Sequence, residues 1–273
     1  MTTTPDAPAP RLCEHCGAPL EPVELPTFAA RASHEVAQSF VLYRACDCDE
    51  AKAERERLEA EEAARKAADE RRAREATLKR AGIPKRYWNA QLDDDGGEMW
   101  LVTEKGERKE PVTGEELLDM VRDGRGLFLT GKSGRGKTHT GCAILLRLMA
   151  EHIRVKFADV EKIEREVKAA WDERGQTEEG VIARYVNAPV VLIDDLGAEE
   201  LTPTTMKTLR AVISGREAED AVTIFTSNYS RRDFALHIAQ ESDRTMASRL
   251  ASRIAGMTEV VEFTGEDRRL TRD

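Results

Sequence analysis

Five short, almost wholly apolar runs recur through the second half of the chain: GLFLTG (126–131), RVKFADV (154–160), PVVLIDD (189–195), VTIFTSN (222–228) and EVVEF (259–263). Each gap between them carries a helical pattern. Strands that are apolar on both faces and separated by helices require a parallel sheet covered on both sides. The pattern therefore predicts an α/β domain over 126–273.

The first half cannot share that core. Charged residues make up 34% of the chain and the formal net charge is −9, so the protein as a whole does not attract nucleic acid or an anionic membrane. Any DNA contact has to be local. No run approaches about 18 apolar residues, and MTTTPDAPAPR offers no apolar stretch of the secretory kind. A soluble, cytoplasmic chain without membrane partners is expected. Residues 1–12, rich in Thr, Pro and Ala, read as a disordered tail. From Asp49 to Arg80 the chain is nearly all Ala, Glu, Arg and Lys, with opposite charges at i,i+3 and i,i+4. This predicts a long solvated helical arm over 49–80. Only Leu58 and Leu78 could seed a coiled-coil seam, and no heptad repeat surrounds them. Ala81-Gly82-Ile83-Pro84 then breaks the helix, and 81–125 reads as a connecting segment without assignable chemistry.

Four of the five cysteines fall within 13–48 as two pairs, Cys13-x-x-Cys16 and Cys46-x-Cys48. A disulfide framework does not suit a reducing cytosol. Four thiolates suit tetrahedral Zn²⁺ in a closed structural site, and a segment this poor in large apolar groups needs such a staple. His15 or His34 could replace one thiolate. Cys142 reads as a core residue.

Between the first predicted strand and the next helix lies GKSGRGKT: Gly131, Lys132, Ser133, Gly134, Arg135, Gly136, Lys137 and Thr138. The glycines let backbone amides wrap a phosphate at a helix N-terminus. Lys137 is expected to neutralise the β- and γ-phosphates of ATP, and Thr138 to ligate Mg²⁺. PVVLIDDLG ends in two carboxylates at the sheet edge where ligands bind. Asp194 suits the Mg²⁺ shell, and Asp195 suits orienting or deprotonating the attacking water. Asn228 closes the next strand, where additional-strand P-loop ATPases place a residue that meets the γ-phosphate; a turn-forming Asn is the other reading. MASRLASRI sets Arg249 and Arg253 on one helix face.

This ordered series, from AGIPKRYWNA (81–90) through GKSGRGKTH, VVLIDDLGAEE, TIFTSN and MASRLASRI to VEFTGEDRRL, resembles the DnaC/DnaI-type bacterial helicase loaders and their relatives, the IstB-type transposition ATPases. The resemblance implies an AAA+ P-loop fold that hydrolyses ATP. It also implies a replicative DNA helicase and single-stranded DNA as partners, and self-association through a shared ATP site. By the same resemblance Arg253 is the finger that reaches a neighbour's ATP, and Arg269 matches the sensor arginine of a G-E-S-Y-R-like motif, here GEDRR. Asp195 stands where many AAA+ proteins carry Glu, which implies slow hydrolysis.

Overall fold

The computed structural model describes residues 11–23, 42–92, 99–103, 105–172, 177–198, 202–241 and 243–268. Residues 1–10 of the expected tail, His34 and Arg269 lie outside them. The chain forms two compact units, Met1–Arg74 and Glu75–Asp273.

In the first unit, strands β1 (Pro22–Val23) and β2 (Leu42–Tyr43) pair antiparallel. Leu12 already bridges Pro19, and Leu20 N–H donates to Arg11 O, so the ordered turn starts before Cys13. Helix α1 (Asp49–Ala81) begins in this unit and runs unbroken into the second. Asp49 and Glu50 stand in its first turn and Lys79 and Arg80 in its last, each matching the helix dipole. Residues 56–74 are exposed on every face. That stretch is therefore held by local propensity rather than by packing.

The second unit is built on a seven-stranded sheet in the order β4-β3-β9-β5-β8-β7-β6. Its five parallel strands are the five apolar runs: β5 (Gly126–Thr130), β6 (Val155–Asp159), β7 (Val190–Asp194), β8 (Val222–Ser227) and β9 (Thr258–Phe263). Alternate residues divide between two cores, as a pleated strand requires. Val191, Ile193, Phe128 and Phe225 face a layer made by α4 (Val160–Asp172), α5 (Glu178–Val186), α6 (Pro203–Ala218), α7 (Arg231–Glu241) and α8 (Arg244–Gly256). Val190, Leu192, Leu127 and Ile224 face α2 (Gly114–Arg122) and α3 (Lys137–Ala150).

The segment read as a connector is part of this unit. Strands β3 (Met99–Val102) and β4 (Arg108–Pro111) extend the sheet antiparallel beyond β9, and α2 starts from a full capping box between Thr113 and Glu116. Leu78, Ala81 and Ile83 are buried in the same cluster as Phe157. Apolar residues too sparse to announce an element find partners here only through the sheet.

One buried charge ties the larger helical layer together. Arg216 of α6 is fully buried, and burial brings its pKa down to about 10. Its guanidinium donates to Tyr185 O (2.6 Å), Ala188 O (2.7 Å), Val222 O and the Thr223 hydroxyl (2.8 Å). Carbonyl oxygens, not a carboxylate, satisfy it. The loop before β7 and the start of β8 are thereby fixed to α6.

Candidate nucleotide site

At the carboxyl edge of the sheet, β5 passes into the glycine loop and then into α3. Gly136 is the N-cap of α3 at φ 95°, a left-handed conformation that glycine adopts without strain. It directs the first free amides of the helix into a cleft of about 830 Å³.

Strand β8 lies between β5 and β7, so the tips of all three meet at this cleft. Thr138 Oγ donates to Asp194 Oδ1 at 2.8 Å, and Thr226 Oγ donates to the same oxygen at 2.6 Å. Asp194 is buried, and loss of water raises its pKa while the two hydroxyls oppose the rise. The Lys137 ammonium donates to Gly131 O (2.7 Å), Lys132 O (2.9 Å) and Asn228 Oδ1 (2.9 Å). Asn228 Nδ2 in turn donates to Asp195 Oδ1 at 3.3 Å. Asp195 has φ 56°, a region that non-glycine residues seldom occupy and that recurs at functional positions. Its N–H is held by Thr226 Oγ at 2.8 Å, which turns the carboxylate out toward the cleft that it lines. Lys137, Thr138, Asp194, Asp195 and Asn228 thus form one continuous polar chain. A hydroxyl and a carboxylate this close are hard oxygen donors of the kind Mg²⁺ takes.

Sequence reasoning missed several contributors. Thr226 belongs to the polar tip of its strand, yet nothing in the sequence shows that its hydroxyl links the Asp194 carboxylate to the Asp195 backbone N–H. Arg86 and Tyr87, on a single 3₁₀ turn at Lys85–Tyr87, line the cleft together with Asn89; the Lys-Arg-Tyr run after Pro84 was their only signal. Arg268 also lines it, one residue before the arginine that the motif matched.

The arginines of α8 stand elsewhere. Arg253 Nε lies 2.9 Å from the Glu217 carboxylate of α6, with its N–H not aligned on the oxygen. Arg249 is exposed. Neither borders the cleft of its own chain. A second cleft, about 650 Å³, opens at the opposite sheet edge beside Gly126, Val222 and Thr258, and contains none of the chain of polar groups just described.

In the first unit the sulfurs of Cys13, Cys16, Cys46 and Cys48 lie within 4.8 Å of one another. Cys13 and Cys48 are 3.9 Å apart, and Cys16 and Cys46 3.4 Å. Tetrahedral zinc with Zn–S of about 2.3 Å needs sulfurs about 3.8 Å apart, so the four fit it. His15 is not among the converging groups. The amide N–H groups of Cys16 and His15 lower the Cys13 pKa to about 6. At Cys48 the Ala51 amide lowers the pKa, but lost water and the neighbouring sulfurs outweigh it and raise the value to about 12. Cys13 is thus biased toward the thiolate, the form in which cysteine binds a metal. Cys142, on α3, is buried in the core.

The chain has counterparts among solved structures. The crystal structure of the DnaC helicase loader shares 27% identity at a TM-score of 0.51, covering 66% of this chain and 100% of that one. The crystal structure of DnaI shares 26% at 0.53, covering 67% and 95%. The replicative helicase loader DnaI of Bacillus subtilis is 30% identical over 151 residues, 54% of this chain. The chain spans about half of that relative, 48% of its length. The family model described as IstB-like ATP binding protein matches residues 48–273. With the nucleotide cleft, the strand order and that match in agreement, the chain belongs to the IstB-like ATP binding protein family.

Proposed function

We propose that the chain is an ATP-hydrolysing loader of a replicative DNA helicase, working in the cytoplasm. The carrying observation is the continuous chain Lys137–Asn228–Asp195 beside Thr138–Asp194, supported by the likeness to proteins described as helicase loaders.

Gly131 to Gly136 receive the phosphates on backbone amides, with Lys132, Ser133 and Arg135 completing the loop, and Lys137 neutralises their charge. Thr138 and Asp194 would hold Mg²⁺, which screens the phosphate oxygens. Asn228 positions a water against the γ-phosphorus, and Asp195 accepts its proton as the new P–O bond forms and the bond to ADP breaks. The shared contact to Asn228 holds Lys137 and Asp195 in register, so the cation and the base act on one phosphate. Arg253, turned away from its own cleft, is assigned to the ATP of a neighbouring copy, and Arg269 to sensing within the chain. The four cysteines hold structural Zn²⁺. The cysteine module over 13–48 and the arm over 49–80 bind the helicase, while 126–273, joined through 81–125, binds ATP and contacts single-stranded DNA.

A second reading, a helper ATPase of transposition, is favoured by the IstB-like description of the matching family. The cysteine pairs, which lie largely before the matched residues, favour the loader.

Loading of the host's replicative helicase onto single-stranded circles, measured with ATP, tests the proposal. Lys137→Ala should lose nucleotide binding. Asp195→Asn should keep it while hydrolysis drops by about 100-fold or more. A wild-type protein that binds ATP but neither binds nor loads the helicase, and instead binds a transposase, would select the second reading.

A further inference from the structure

After β9 the chain turns back across the phosphate loop. The Arg268 N–H donates to Gly134 O at 3.1 Å. The Asp267 carboxylate lies so close over Gly134 that a Cβ there would stand 1.8 Å from Oδ1. Loop and returning chain require each other's shape, and these two contacts fix where the Arg268 side chain starts.

The guanidinium ends against Gly136, its Cζ 3.2 Å and Nη1 3.3 Å from a Cβ placed on that residue. Gly136 opens α3, where free amides and the helix dipole make the surroundings positive. A cation beside that end is repelled unless an anion lies between them. Arg268 Nη2 is also shut off from solvent without a hydrogen-bond partner, and a buried charged donor left unpaired is costly. An anion held jointly by loop and guanidinium resolves both difficulties.

The position along the nucleotide is set by the neighbours. Arg268 lines the main cleft that Asp194, Asp195 and Asn228 also line, and it borders a small cavity with Gln91, Leu92, His139 and Thr140, so its guanidinium enters from the side of Gly136 and the start of α3. Lys137 has other partners, Gly131 O, Lys132 O and Asn228 Oδ1. The geometry points to Arg268 as a second phosphate-binding cation that grips, from the Gly136 side of the cleft, the phosphates common to ATP and ADP. This inference rests on the proposal that the cleft binds ATP. Arg268 then retains product as firmly as substrate, so release of ADP requires the chain after β9 to let go.

Calorimetric titration of the full chain with Mg²⁺-ADP and with a non-hydrolysable Mg²⁺-ATP analogue tests this. Arg268→Gln should weaken both by similar factors, about 10- to 100-fold for one charge-assisted contact. Arg268→Lys should recover part of the loss for both, and it carries the test should the Gln variant not fold. Loss confined to the ATP analogue would place the arginine on the terminal phosphate and overturn the inference, and unchanged affinity for both would remove it from the site. A wild-type chain that binds neither nucleotide would overturn the ATP reading itself.

Discussion

Glu164 of α4 shows how a single side chain joins helices that sequence cannot relate. Its carboxylate pairs with Lys168 at 2.7 Å and accepts from the Thr205 hydroxyl at 2.8 Å and from Thr202 at 3.3 Å. Its side chain is only 13% exposed. The Lys168 contact, followed by the hydroxyls, lowers its pKa against the effect of burial. A carboxyl whose folded pKa lies below its unfolded one contributes stability above the unfolded value, about 4.3, and loses it as pH falls through the folded value. Glu164→Gln should therefore cost about 1–2 kcal/mol at pH 7. The gap from wild type should close progressively below about pH 4.3 in denaturant titrations. A gap that stays constant down to pH 3 would refute the assignment. At Asp194 the sign is reversed, because burial raises its pKa. Asp194→Asn keeps an oxygen for both threonine hydroxyls and should melt a few degrees higher than wild type without nucleotide, while nucleotide binding loses its Mg²⁺ dependence.

Among the elements, α6 depends most on one residue. Arg216→Lys leaves too few donors for the carbonyls of Tyr185, Ala188 and Val222 and the Thr223 hydroxyl. It should cost about 3–5 kcal/mol in equilibrium unfolding, the range for breaking a buried charge network. A loss below about 1 kcal/mol would mean that water replaces the guanidinium. No sequence signal marks this residue, since an arginine on a helix ordinarily reads as solvated. The five parallel strands were legible because both faces of each are apolar. The hairpin of β3 and β4 was not. Every residue of RKEP is exposed, and pairing with its neighbour in the sheet rather than its own pattern makes the segment a strand. In the site, the glycine loop and the paired carboxylates carry a spacing that announces itself. Arg268 does not, because one residue of register separates it from the motif position, and only the path of the chain after β9 brings it to the loop.

For the whole molecule, the two units predict two separable responses. Removing metal with a strong chelator should unfold the cysteine module and fray the start of α1, because Cys48 O accepts the Lys52 N–H and Cys46 O accepts from Arg55. The melting of the larger unit should not move. A single cooperative transition that shifts as a whole would contradict this. Self-association is tested by mixing. Lys137→Ala and Arg253→Ala chains, each inactive alone, should recover some hydrolysis together, since one supplies the phosphate loop and the other the reaching arginine. No recovery at any ratio would leave the Arg253–Glu217 pair a purely structural contact. The stretch of α1 over 56–74 is exposed on every face. Excising seven residues from it, close to two helical turns, restores the angular phase of the helix beyond the cut and removes no packing. Selection can then act on this rod through its length rather than its composition. Substitutions that keep it helical should be tolerated, while insertions and deletions alter reach in steps of about 1.5 Å per residue.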